Sequence, residues 1–216
     1  MRKMLIVLLL AVVPMEGMAQ WDTASHVHRQ PLGGFVAGTA LIAGGSLFTF
    51  VPDMKTVAVD LRNAVQADNH RKLHFDDYIQ YLPTAAPLSL KLLGLESQHD
   101  WKRMALLEGG SYLLGYIVLE SAKHGFDVLR PDGRAYNSFP SGHSFMAFTG
   151  AEVVRREYGE EYPWIAVAGY MVAVLVAGMR VYNDRHWVGD IMAGAGLGVL
   201  SASTVYWVNE KLKVEN

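Results

Sequence analysis

Three stretches of this chain, residues 35–51, 163–179 and 191–208, contain no Asp, Glu, Lys or Arg. Each approaches the length of about 20 residues that an α-helix needs to cross the hydrocarbon core of a bilayer. A helix apolar on every side has no face to offer water, so such segments belong inside a bundle or against lipid. Residues 104–122 are similar but carry Glu108 and Glu120, and a fifth apolar stretch after His143 is interrupted by Glu152. Acids within a span face the bundle interior or a site. Small-residue spacings at Gly34/Gly38 and Gly194/Gly198, and the pair Gly109-Gly110, suit close helix packing. No strand-like alternation and no repeat of fixed period stands out. The expected fold is all-α, a membrane-embedded helical bundle of five or six helices.

The opening "MRKMLIVLLLAVVPMEGMAQ" has a basic start, an apolar run and small residues at Gly17 and Ala19. It reads as a secretory signal peptide over residues 1–19, cleaved after Ala19, with an uncleaved anchor helix, disfavoured by Pro14 and Glu16, as the alternative; residues 20–216 are left as a single domain. The most polar part of the remainder, residues 52–103, includes "DNHRKLHFDDYIQYLP" and reads as an amphipathic connector. Its apolar end, residues 82–95, is broken by Pro83, Pro87 and Lys91, which argues against a span. The connector holds Lys55, Arg62, Arg71, Lys72, Lys91, Lys102 and Arg103, and the positive-inside rule puts it in the cytoplasm. The polar loops after residues 122 and 179 then share the opposite, periplasmic face of a bacterial inner membrane. If residues 82–95 do span, both loops swing to the cytoplasm.

The formal net charge is -2 and no long basic run occurs, which excludes a nucleic-acid footprint. With no Cys, disulfides, thiolate metal sites and cysteine nucleophiles are excluded, and His is left to carry chemistry near neutral pH.

The two polar loops concentrate the reactive side chains. The first, "KHGFDVLRPDGRAYNSFPSGH", holds Lys123, Arg130, Ser141, Gly142 and His143; the second, "RVYNDRHWVGD", holds Arg180, His186 and Asp190. Any one of these cations alone reads as a side chain snorkelling to the headgroups. Together with two His residues they read as an anion site. At a spacing of four, Asp190 in the first turn of a following helix reaches back to His186 and fixes its tautomer. Lys123, Arg130 and Arg180 suit phosphoryl oxygens. Ser141 and Gly142 at a helix start offer amides and a hydroxyl to the same anion, Gly142 allowing close approach, with His143 beside them as a proton donor.

These residues resemble the signature of the type-2 phosphatidic acid phosphatase superfamily, which also includes vanadium haloperoxidases and bacterial class A acid phosphatases. Its three parts are matched in order by Lys123 to Arg130-Pro131, Pro140-Ser141-Gly142-His143, and Arg180, His186 and Asp190. Met179 stands where the family has Ser, and altered loop packing is expected there. The resemblance covers residues 123–190 and implies the following mechanism. His186 attacks phosphorus to form a phosphohistidine, His143 protonates the leaving alkoxide and then activates water, and Asp190 orients His186. Lys123, Arg130, Arg180, Ser141 and Gly142 hold the phosphoryl oxygens, with no metal and no other cofactor.

The implied substrate is a lipid phosphomonoester, lipid A first; phosphatidylglycerophosphate, phosphatidic acid and undecaprenyl diphosphate are alternatives. A soluble acid phosphatase, a vanadate-dependent haloperoxidase and a non-catalytic membrane scaffold are further alternatives. Among the other histidines, His70 and His74 have the spacing of a metal pair without a third ligand. His124 adjoins Lys123 and is a candidate pocket residue; His26, His28 and His99 carry no assignment.

Overall fold

The computed structural model describes residues 32–67 and 71–214; the signal-like segment, His26, His28 and His70 lie outside them. Among the described residues there are eight helices and no strands. They are α1 (Leu32–Phe50), α2 (Pro52–Gln66), α3 (Asp76–Ile79), α4 (Leu82–Leu92), α5 (Trp101–Phe126), α6 (Gly142–Tyr158), α7 (Pro163–Tyr182) and α8 (Val188–Val214). The expected apolar segments are all helical, and α1, α7 and residues 188–212 of α8 are long and apolar enough to cross a membrane.

α8 is the central helix, and its small residues explain how neighbours reach it. A Cβ at Gly45 would lie 2.5 Å from the Gly189 carbonyl oxygen, and one at Gly38 would lie 2.9 Å from that of Gly196. α1 therefore packs backbone-to-backbone along α8, antiparallel to it. On the other side α6 and α7 complete a core of Phe148, Tyr170, Val174, Val176, Val181, Ile191 and Val199. Gly109 makes no such contact, since nothing lies within 4 Å of where its Cβ would be. Outward-facing Leu106, Leu113, Ile117, Trp164 and Met171 are largely exposed, as side chains that meet lipid would be.

Local signals set the helix ends. Asp100 caps α5 by accepting from Lys102 N at 3.0 Å and Arg103 N at 3.2 Å, and Asp127 closes it with a left-handed φ of 44°. Ser141 caps α6.

The connector departs from the one-sided arrangement expected from its charges. Its first half lies at the end of the bundle that carries the two polar loops. Arg62 on α2 pairs with Asp184 at 2.7 Å, and Leu73 N donates to Asn183 Oδ1 at 2.9 Å. Its second half runs the full length of α6 to the opposite end. Asp77 meets His143 at the start of α6, Tyr158 Oη donates to the Pro87 carbonyl at 2.6 Å, and Gln98 N donates to the Glu157 carbonyl at 3.0 Å. The prolines do not prevent this passage. Pro83 falls in the first turn of α4, where its missing N–H is not required, and Gly150 of α6 leaves room for the backbone at Pro83 and Thr84. Residues 82–95 thus make a traverse along α6, and Leu32 and Val214 both lie at the end away from the polar loops.

Candidate active site

The two polar loops, 127–141 and 183–187, are laced together at one end of the bundle. Ser141 N donates to the Asp190 carbonyl at 3.0 Å, Trp187 Nε1 to the Leu129 carbonyl at 2.8 Å, and Arg185 pairs with Asp132 at 3.3 Å. α2 buttresses the second loop through Arg62 and through Gln66, whose side-chain amide donates to the Val181 and Tyr182 carbonyls.

His186 is buried, with Nδ1 3.5 Å from Asp190 Oδ2. That is long for a hydrogen bond, and the carboxylate stands beside the Nδ1 edge of the ring. The Asp190 oxygen is itself fixed by Trp187 N at 2.8 Å and Ser138 Oγ at 2.5 Å, and the Ser138 hydroxyl also lies 3.4 Å from His186 Nδ1. Burial pushes the imidazole down to about 4, assisted by the charges of Arg180 and Arg130 and opposed by Asp190. The ring is therefore neutral across the physiological range, with Nε2 the nitrogen away from the carboxylate.

The expected cations converge here. Lys123 Nζ donates to the Asn137 carbonyl at 2.9 Å and Arg130 Nε to the Asn137 side chain at 2.8 Å, so one residue steers both. The Arg130 guanidinium is held below its ordinary value by burial and then by the nearby charge of Arg180, the condition of a site that gathers positive charge for an anion. Arg180 is buried and its Nε has no partner among the described residues.

Ser141 is fully buried; its amide is taken by Asp190 and its hydroxyl oxygen caps α6 at Ser144. The amides offered at the helix mouth are thus those of Gly142 and His143, the first-turn donors. A Cβ at Gly142 would meet only Leu119, at 3.8 Å, so protein packing does not by itself demand glycine there.

The carboxylates of α3 were not foreseen. Arg180 Nη1 lies 2.7 Å from Asp76 Oδ2 and 3.0 Å from Asp77 Oδ1, and His143 Nε2 lies 2.9 Å from that same Asp77 oxygen. Burial opposes ionisation of Asp77, but the bond from His143 and the Arg180 charge outweigh it and hold the carboxyl below its ordinary value. The pair stands in the connector as "FDDY", indistinguishable by sequence from a solvated helix start. Ser138 and Asn137 were likewise unassigned, although both adjoin the Pro-Ser-Gly-His run. His124 bonds back to its own Glu120 carbonyl on the exposed surface, not into the site. Met179 is buried, and its carbonyl accepts Asn183 N at 2.8 Å.

The sequence matches the PAP2 superfamily over residues 105–213, a range that contains every expected site residue from Lys123 to Asp190. The chain belongs to the PAP2 superfamily. Among curated relatives, it is 35% identical over 185 residues to a lipid A 1-phosphatase of Porphyromonas gingivalis, a match covering 85% of this chain and 40% of that protein. It is 32% identical over 127 residues to phosphatidylglycerophosphatase B of Bacillus subtilis, covering 53% and 60% respectively. The chain therefore spans less than two thirds of either relative, 40% of the first and 60% of the second. The crystal structure of Aquifex aeolicus LpxE superposes with a TM-score of 0.55 at 22% identity, covering 68% of this chain and 93% of that one, and so shares the fold.

Proposed function

We propose that this PAP2 protein is a metal-independent phosphatase that hydrolyses a lipid phosphomonoester of the lipid A type through a phosphohistidine. The observation that carries the reading is a buried, neutral His186 beside an orienting carboxylate, within a cluster of Lys123, Arg130 and Arg180. His186 Nε2 attacks phosphorus while the P–O bond to the lipid breaks, and His143 gives its proton to the departing alkoxide. Water then attacks the phosphohistidine, loses a proton to His143 and releases phosphate together with free His186. The cations and the α6 amides stabilise the charge on the equatorial oxygens.

Two features support a lipid substrate. The lipid A 1-phosphatase and phosphatidylglycerophosphatase B relatives are named for lipid phosphates. A shallow apolar hollow, lined by Tyr112, Leu113, Tyr116, Phe145 and Met146, lies open on the exposed side of α5 within a turn of His143, an apolar surface of the kind an acyl chain would lie against. The experiment is phosphate release from lipid A, phosphatidylglycerophosphate and phosphatidic acid by protein in mixed micelles. Turnover fastest on lipid A, abolished by His186→Ala, with acid-labile phosphate trapped on wild type after rapid quenching, is expected. Undiminished turnover in His186→Ala would overturn the mechanism.

We further propose that the site faces the periplasm. Lys and Arg stand at both ends of the bundle: Lys91, Lys102, Arg103, Arg155 and Arg156 away from the site, and Lys55, Arg62, Arg71, Lys72, Arg134 and Arg185 near it. The charge rule thus chooses neither face, and the assignment follows from the substrate. Given the traverse by residues 82–95, a periplasmic site requires Leu32 to begin in the cytoplasm. Export through residues 1–19 would instead turn the site to the cytoplasm, so the two sequence expectations exclude each other. Tyr136→Cys and Glu161→Cys, in a chain without Cys of its own, separate them. On intact spheroplasts an impermeant thiol reagent should label position 136 and spare 161; the reverse pattern overturns the periplasmic site.

A further inference from the structure

α3 is a single helical turn outside the part of the chain that matches the superfamily, yet it delivers two carboxylates to His143 and Arg180. Their situations differ. Asp76 is fully buried and spent on structure, with Oδ2 on Arg180 and Oδ1 accepting from Asn183 Nδ2 at 2.9 Å. Asp77 is half-exposed, and its Oδ1 takes both Arg180 Nη1 and His143 Nε2. The ligand atoms of Asp76, Asp77 and His143 lie within 4.8 Å of one another, but the Arg180 guanidinium already stands on both carboxylates as their counter-cation. The arrangement repeats the one at His186: an imidazole with one nitrogen against a carboxylate and the other left for chemistry.

We propose that Asp77 is the positioning carboxylate of His143. It accepts the Nε2 proton, sets the ring orientation and leaves Nδ1 as the nitrogen that exchanges protons with substrate. The inference rests on the phosphatase reading above. As the His186–phosphorus bond forms and the phosphorus–alkoxide bond breaks, the Nδ1 proton of the His143 imidazolium passes to the alkoxide oxygen. His143 is left neutral and Asp77 stays ionised. In the second step the attacking water loses its proton to Nδ1 as the phosphorus–His186 bond breaks. Asp77 favours the imidazolium in both states by its charge, as an orienting acid does.

A general acid matters in proportion to how poorly the leaving group departs unaided, and this gives a test that a structural role does not pass. Full-length wild type, Asp77→Asn and Asp77→Glu are compared in mixed micelles on a long-chain alkyl phosphomonoester and on p-nitrophenyl phosphate, whose phenolate leaves without protonation. Asp77→Asn should lower kcat/KM, which reports the steps up to departure of the alcohol and not the later hydrolysis shared by both esters, on the alkyl ester by about 10- to 100-fold, part of the usual contribution of a general acid. On the aryl ester the change should stay within about threefold on the same grounds. Asp77→Glu, which keeps the charge for Arg180, should show the same selectivity at smaller amplitude. Equal losses on both esters in either variant, or no loss on either, overturn the proposal. A gain on both overturns it too, since Asp77 would then be a competitor of the phosphoryl group for Arg180 and His143. Loss of wild-type turnover in chelator, restored by a divalent cation, would make Asp77 a metal ligand and also overturn it. Wild type inactive on both esters and on lipid phosphates would instead sink the phosphatase reading itself.

Discussion

α6 carries a polar cluster at its start and another farther down, and the two are balanced very differently in charge. About 15 Å along the helix from Gly142, at 1.5 Å per residue, Glu152 is buried and fully engaged. It accepts from Arg155 Nη2 at 2.6 Å, Arg156 Nε at 2.9 Å, Tyr170 Oη at 2.6 Å and Ser203 Oγ at 3.1 Å. Beyond it Glu157 accepts from the His99 amide at 3.0 Å and from Tyr206 Oη at 2.6 Å. Each region leaves buried atoms without a partner among the described residues, Glu108 Oε1 and Arg156 Nη2 in the far cluster and Arg180 Nε and Asp190 Oδ1 at the start of the helix. The difference lies in the charge: in the far cluster the arginines are matched by Glu152, whereas at the start of the helix Arg130 and Arg180 crowd one another. Matched charges hold helices in register, and crowded cations suit an anion.

The largest test of this contrast is Asp190→Asn. It should retain KM and thermal stability close to wild type while slowing turnover by about 10²- to 10⁴-fold, because His186 loses the acceptor that sets its tautomer. Steady-state kinetics on the preferred lipid with a melting curve checks it; a wild-type rate would remove Asp190 from the mechanism. Glu152→Ala should do the opposite. Stranding Arg155 and Arg156 costs about 3–5 kcal/mol of stability, seen as a lower Tm in detergent, while the rate per folded molecule stays near wild type at temperatures below the melt. A selective loss of kcat without a change in Tm would erase the distinction between the clusters.

The smallest effect is on pH. His186 titrates near 4 when folded against an ordinary 6.5, so between those values the unfolded chain binds the extra proton and stability rises with pH. The contribution is complete above about 6.5 and is lost as pH falls through 4. Melting curves from pH 7 to 4.5 should show a decline that His186→Ala reduces. An identical decline in the variant would mean that the imidazole is not held neutral by the fold.

The apolar runs announce the long helices because a segment apolar on every side must be buried in a bundle or meet lipid; α1, α7 and α8 correspond to the charge-free runs, and α5 and α6 to the apolar stretches interrupted by acids. The loops bearing Lys123, Arg130, His143, Arg180, His186 and Asp190 were legible because three spaced motifs in order are far rarer than any one of them. Residues 82–95 were read from their prolines as no clean span, and α4, at 11 residues, is not among the helices long and apolar enough to cross a membrane; what the sequence did not show is that they pack along α6. In the bundle Pro83 sits where no N–H is needed, and Tyr158 Oη, from a residue 71 positions away, ties α4 to α6 by donating to the Pro87 carbonyl. Ser138 went unassigned because a serine near a turn is ordinary until its hydroxyl is seen on Asp190.

What the sequence by itself determined was the apolar bundle and the chemical inventory at one of its ends, since hydropathy and motif spacing are properties of short segments. Tertiary structure alone decided that α2 would clasp the His186 loop through Arg62 and Asp184, and that Asp76 and Asp77 would meet Arg180 across more than 100 residues of chain. Such contacts depend on how helices stack. Nothing in "FDDY" distinguishes a carboxylate that will face water from one that will face a buried guanidinium. The choice is made by the backbone-to-backbone approaches of α1 to α8 and of α4 to α6, which bring the connector back over the site.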